Sequence, residues 1–362
     1  MARLVAFLFL FAVLLLLAGC AGTVTPPATA PASAGAQQAS PQTPSAPAQT
    51  PSAASSTPAA PAQSTEPSLY SIGAGKNPRI SGDNIVFARK EGLNYHVYLY
   101  NIKDKSTKGI ATANYSELPA ISGNNIVWLD MRGVGSSKAN SVYYYGIASG
   151  QEKAIGYGDT YLHCPAVSTD YAVWKDSPKN GEVVYLYNLA SGTGKVISTQ
   201  GPYPGCPDVE GDYVAWSQLE QGPCDKCHSL MLYKISTGAT TKIISTDVSI
   251  NPEVSLRGGK IGYVQGDSGK KQAFVYDIAS GTSKQLSTAE SVKEGVSFGD
   301  GYAVWADYRN GKADIYGYDF AAQKEFQLTS SAEPQLTPDT DGGLAVYKDD
   351  KDGNVYVARL EP

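Results

Sequence analysis

From about residue 69 to the C-terminus, short apolar runs alternate with polar positions and break at Gly-Asp, Gly-Asn and Ser-Gly pairs. Tyr98/Tyr100, Tyr185/Tyr187 and Tyr316/Tyr318 show the two-residue period of a strand. Nothing sustains apolar residues at the i, i+3, i+4, i+7 spacing of a helix. The pattern predicts an all-β domain of short strands.

The runs also repeat, roughly every 40 residues. The first unit reads NPRISGDNIVFARKEGLNYHVYLYNIKDKSTKGIAT and the sixth EGVSFGDGYAVWADYRNGKADIYGYDFAAQKEFQLTS. Pro78, Pro119, Pro165, Pro207, Pro252 and Pro334 mark the starts, with Gly295 in the sixth slot. Strand one follows the proline. A turn leads to strand two, which ends on Phe87, Trp128, Trp174, Trp216, Tyr263, Trp305 or Tyr347. Strand three carries alternating aromatics, and a Ser-Gly-type turn gives strand four. Four strands per unit, repeated, predict a β-propeller of seven four-stranded blades. Six or eight blades would require one unit to be mis-parsed. The aromatic rows then read as packing between blades rather than as a ligand-stacking platform. The seventh unit stops after strand three. The segment SLYSIGAGKNP aligns with a fourth strand and its lead-in, so Leu69 to Gly73 is expected to complete the last blade and remove an open edge.

The stretch VWADYRNGKADIYGYDFAAQKEFQLT, Val304 to Thr329, resembles the repeat of TolB-like propellers. It is also similar to the W-x-D-x-R-N-G…D-I-Y-x-Y-D repeats of archaeal and bacterial cell-surface proteins. Weaker copies span 69–362. The resemblance implies a propeller, an extracytoplasmic setting and protein–protein or surface binding. Many TolB-like domains have six blades, so a seventh departs from that pattern. Some relatives are peptidases or lyases, but none of their motifs is present.

The N-terminus belongs to another class. Arg3 precedes an apolar run from Leu4 to Leu17, and LLAGC resembles the lipobox of a lipoprotein precursor. The expectation is a signal peptide over 1–19 and a lipid-modified Cys20, anchored to the cell membrane or outer membrane. Residues 20–68 are rich in Pro, Ala, Ser and Thr, which predicts a disordered, extended tether. The propeller is assigned to 69–362. The net charge of −5 and the lack of a basic block argue against nucleic acid. A monomeric propeller with a protein or glycan ligand on one rim is the expected arrangement.

The chemistry is sparse. There is no G-x-S-x-G, H-E-x-x-H or Walker A motif. Asp130, Asp176, Asp307 and Asp349 each lie two residues after a strand-two aromatic. An Asp at a fixed slot caps the turn that follows it, or forms a rim of carboxylates for a cationic partner. Asp349, Asp350, Asp352 and Asn354 read as an acidic turn before a Ca²⁺ loop. Asn114-Tyr-Ser116 is a glycosylation sequon, expected to be exposed.

Four cysteines remain beyond Cys20. Cys164 and Cys206 occupy the same slot in adjacent units; Cys224 and Cys227 lie in the strand two–three loop of the fourth. In a propeller these places share one face, with His163 and His228. Exported cysteines pair, so Cys164–Cys206 with Cys224–Cys227 is the favoured connectivity. An exchanged pairing through Cys206 stays open. So do two other uses: Zn in a thiolate–imidazole site, or c-type haem at Cys224-x-x-Cys227-His228. A binding module predicts a rim with exposed aromatics. An enzyme with loop-borne acid/base groups predicts a concave pocket of converging carboxylates.

Overall fold

A computed structural model describes residues 69–360, except 113–114, 133–139, 158–160, 179–180, 200–202, 221–226, 247–248 and 252. The segments expected over 1–19 and 20–68, with Cys20, lie outside the described residues.

Seven antiparallel four-stranded sheets make up the domain. Blades 1 to 6 span 76–111, 116–157, 162–196, 208–246, 255–285 and 293–327, each with its strands in chain order. Blade 7 takes three strands from 335–359. Its outermost strand is Leu69–Ala74, which pairs antiparallel with Asn354–Arg359, Leu69 opposite Ala358 and Ala74 opposite Asn354. The N-terminal strand therefore closes the ring, as the truncated seventh repeat predicts.

Alternation explains the core. The strand-two aromatics are all buried, none more than 3% exposed. Phe87 stacks on Tyr98, Trp128 on Tyr143, Trp174 on Tyr185, Tyr263 on Phe274 and Tyr347 on Tyr356, each pair lying across strands two and three. Between blades the faces interlock: Val86 and Leu99 of blade 1 meet Ile121, Trp128 and Tyr145 of blade 2. Burying one such side chain stabilises the fold by about 1.5–3 kcal/mol, so each blade depends on its neighbours.

The inner strands differ from the expectation in register. A two-residue hairpin joins strands one and two: Ser81 pairs with Asn84, Arg257 with Lys260 and Asp341 with Leu344. Counting back from the hairpin puts Val254, Val296 and Pro338 in the slot of Pro78. Gly295 therefore sits one residue early and Pro334 lies in the connecting segment; Pro252 is outside the described residues. The turn sets the register, and the proline only fits a slot that needs no N–H. That slot follows a bulge in strand one. Its first residue is left-handed in five blades: Asn77, Leu118, Cys164, Gly295 and Thr337 have φ of 50° to 57°.

Side chains of the inner strands stitch blade to blade. Asp339 of blade 7 accepts from Ile80 N–H of blade 1, and Asp208 of blade 4 from Leu256 N–H of blade 5. One turn further along, Asp341 accepts from Gly82 N–H, Glu210 from Gly259 N–H and Ser81 from Gly123 N–H. Arg257 of blade 5 reaches past blade 6 to donate to Thr340 O of blade 7 at 2.8 Å, with Asp341 at 3.4 Å. Blade 6 carries Gly299 at this level. A Cβ there would lie 2.9 Å from the Thr340 carbonyl, so only glycine permits the approach.

Candidate functional site

The seven inner strands enclose an axial cavity of about 450 Å³. Its charged wall residues are Arg79, Arg257, Asp208, Glu210, Glu253, Glu294 and Asp339. Their positions make them unequal. Asp208 is held by Leu256 and Val209 N–H groups, yet burial still pushes its carboxyl up to about 6. Asp339 is held by Ile80 N–H and the Ser297 hydroxyl, and Glu210 by Gly259 N–H. Burial opposes the charge of Arg257, but Asp339, Asp341, Asp208 and Glu210 outweigh it and keep the guanidinium protonated. Arg79 donates to the Pro78 carbonyl. Glu253 and Glu294 are different: both are exposed at the end of the cavity that bears the cysteines.

That end is the mouth. Cys164 and Cys206 are joined in a disulfide that ties blade 3 to blade 4, with Cα atoms 5.3 Å apart, and both line the cavity. This is the favoured pairing from the repeat frame. The Cys206 strand also bridges in parallel to Glu253. Cys227 is held in a disulfide as well; Cys224, its expected partner, lies outside the described residues. A bridged sulfur is not a thiolate, so Cys164, Cys206 and Cys227 as they stand are not thiolate ligands. Among the described residues, no three His, Cys, Asp or Glu side chains converge as a metal-ligand set. His163 precedes the bridge, its ring stacked on Tyr161, and burial lowers its pKa below the ordinary value. His228 opens strand three of blade 4, away from the cavity wall. His96 pairs with Glu91 at 3.2 Å in blade 1.

Tyr161 and Tyr203 each stand three residues before a bridged cysteine. They are 61% and 59% exposed, whereas the strand-two rings are buried. The repeat frame contained this signal, two tyrosines at one offset from two paired cysteines, but the sequence reading did not use it. Glu253 and Glu294 carried no signal, because neither belongs to a repeated motif.

The rim carboxylates face inward. Asp130 and Asp307 are fully buried. Asp307 accepts from Trp305 Nε1–H at 3.2 Å, the Ser291 hydroxyl at 2.6 Å, Arg309 N–H at 3.0 Å and Arg309 Nη2–H at 2.6 Å. Asp130 repeats the arrangement with Trp128, Ser116 and Arg132. Each arginine lies over a strand-three ring, Tyr143 or Tyr316, and pairs with a strand-four glutamate, Glu152 or Glu325. Asp349 accepts from Lys351 N–H, and Asp176 is half-buried with its carboxyl raised by burial. These four groups brace turns and strands instead of forming an open ring. Asp350 pairs with Lys348, and Asp352 holds Asn354 and Tyr356. The sequon differs from expectation: Asn114 lies outside the described residues, and Ser116 is buried against Asp130.

The fold defines the class, a closed seven-bladed β-propeller. No protein-family model and no curated protein matches the sequence. Solved structures do. An oligogalacturonate lyase in complex with manganese aligns with a TM-score of 0.62 and 12% identity, over 81% of this chain and 93% of that one. The β-propeller domain of the trilobed protease from Pyrococcus furiosus, described as having an open velcro topology, also gives 0.62 and 12%, over 81% and 97%. TolB from Acinetobacter baumannii aligns at 0.47 and 14%, over 77% and 80%. The first two likenesses, at 12% identity, show the fold alone. The ring here is closed by strand pairing, a difference from the open Pyrococcus domain.

Proposed function

We propose that the chain is an extracytoplasmic binding module, held to a membrane through lipid on Cys20, whose ligand docks at the disulfide-bearing mouth of the axial cavity. The observation that carries this is the mouth itself: exposed carboxylates on a cavity whose wall is cross-linked, with an exposed tyrosine three residues before each bridged cysteine. Concave sites with a few convergent polar groups on a rigid frame are where ligands bind. The inner carboxylates favour binding over acid–base catalysis. Asp339 accepts from blades 1 and 6 at once, and Asp208 from Val209 N–H of its own strand and Leu256 N–H of blade 5, so both carboxylates are committed to the scaffold rather than presented to a substrate.

The test is capture from solubilised envelopes of the source cells. The propeller 69–362, immobilised at its C-terminus, is compared with a Tyr161→Ser/Tyr203→Ser variant of equal thermal stability. A ligand retained by the parent and lost by the variant is expected. Capture indifferent to both tyrosines would place the site elsewhere.

A further inference from the structure

The mouth has two chemically distinct sides. Leading into blades 3 and 4 are the exposed Tyr161 and Tyr203, each three residues before a cysteine of the Cys164–Cys206 bridge, which ties the two segments together. On blades 5 and 6 are Glu253 and Glu294. They are close neighbours: a Cβ built on Gly295 would sit 3.6 Å from Glu253 Oε2. The Glu253 carboxylate has no hydrogen bond or ion pair among the described residues; only its backbone is engaged, in the bridge to Cys206. Glu294 accepts only from the Tyr308 hydroxyl, at 3.1 Å. Both arginines of the wall are engaged elsewhere, Arg257 with Thr340 and Asp341, Arg79 with Pro78. The mouth therefore keeps uncompensated negative charge beside exposed aromatic faces.

Both sides select the same feature in a ligand. An aromatic face attracts a cation through its quadrupole, and a carboxylate does so directly. A neutral or acidic glycan would desolvate Glu253 and Glu294 without pairing them, which is costly. We propose that the mouth receives a lysine- or arginine-bearing segment of a partner protein. An extended segment can set a basic side chain on the two glutamates while its neighbours cover the tyrosines, whereas a lone amine satisfies only one side. This deepens the binding reading above and rests on it.

The probe is a fluorescein-labelled hexapeptide of alternating Lys and Gly, read by anisotropy against the soluble propeller. It is expected to bind, while the same peptide with Glu for Lys is not. Glu253→Gln/Glu294→Gln should weaken binding by about tenfold or more, and Tyr161→Ser/Tyr203→Ser by a similar factor. Asp170→Asn/Asp300→Asn makes the same charge change on exposed hairpins of the opposite face and should leave affinity unchanged. If that control weakens binding as much, the attraction is general charge and the proposal fails. Putrescine binding as tightly as the peptide overturns the protein source. An envelope ligand lost with the tyrosines but indifferent to the glutamates overturns the basic segment and spares the mouth; indifference to both overturns both.

Discussion

Replacing Asp307 by Ala removes a carboxylate that is fully out of solvent and surrounded by donors. Trp305 Nε1–H, the Ser291 hydroxyl and Arg309 Nη2–H lose their acceptor. Lys293 suffers more. Its ammonium is also fully buried, 3.4 Å from Asp307, and its other contacts are the Lys271 and Ala289 carbonyls and the Ser291 hydroxyl. Burial depresses the Lys293 pKa and Asp307 opposes that effect, so the substitution leaves a buried cation without its counter-charge. Breaking a buried pair in this way costs about 3–5 kcal/mol. Asp349→Ala at the equivalent slot of blade 7 loses only Lys351 N–H and a long contact to Gln335, and should cost about 1 kcal/mol. Urea unfolding followed by tryptophan fluorescence measures both. Burial alone would raise the Asp307 carboxyl, but Arg309, Ser291 and Lys293 outweigh it and hold the pKa below the ordinary 3.8. A depressed carboxylate contributes stability above its unfolded pKa and loses it as pH falls through the folded one. The deficit of Asp307→Ala should therefore narrow below about pH 4. An Asp307→Ala protein within about 1 kcal/mol of the parent at neutral pH would refute the bracing role.

Three further outcomes follow from the geometry. Cys164→Ser/Cys206→Ser should lower stability by about 2–4 kcal/mol, and reductant should lower the parent by more than the variant, which keeps only the Cys227 bridge; equal loss in both proteins would show that the bridge between blades 3 and 4 carries none of it. Deleting residues 69–74 bares the edge of Asn354–Arg359, and light scattering should report more association than in the parent; a truncation as monodisperse and as stable as the parent would show that closure is dispensable. Asp208 has its pKa raised, to about 6, so the folded state binds the proton more tightly and its contribution declines as pH rises from about 4 to 6. The parent should gain on Asp208→Asn as pH falls from 7 to 4 in urea titrations, and a pH-independent difference would sink this account.

The architecture was legible because a propeller repeats one local rule. Alternation gave the strands, the recurring strand-two aromatic gave the interfaces, and the truncated seventh unit pointed to Leu69–Gly73 as its missing strand. The disulfide followed from Cys164 and Cys206 sharing a slot. What escaped was whatever depends on backbone register or on a single blade. Pro252 and Pro334 misled because proline is tolerated at more than one position near the bulge, while the hairpins at Arg257–Lys260 and Asp341–Leu344 set the pairing. Lys293 looks like any surface lysine in sequence; its burial arises from carbonyls in a neighbouring blade. Gly299 is indistinguishable from a turn glycine until the Thr340 backbone is seen beside it.

The repeat also separates scaffold from recognition without reference to other proteins. Positions that must make the same bond in different blades hold the same chemistry: Asp208 and Asp339 accept from the next blade, and Asp130 and Asp307 bind the indole two residues before them. The bulge slot obeys no such rule. It holds Asn77, Leu118, Cys164, Cys206, Glu253, Gly295 and Thr337, and all seven line the cavity. Leu118 and Thr337 even adopt positive φ there, at a cost of about 1–3 kcal/mol each that only surrounding structure sustains. A left-handed residue kept in five blades against that cost, while the side chains of all seven vary around one opening, is what the proposed binding mouth would require of its frame. Glu253 is the member of that ring whose charge is left unanswered among the described residues, which is why the chemistry of the ligand is read from its side of the mouth.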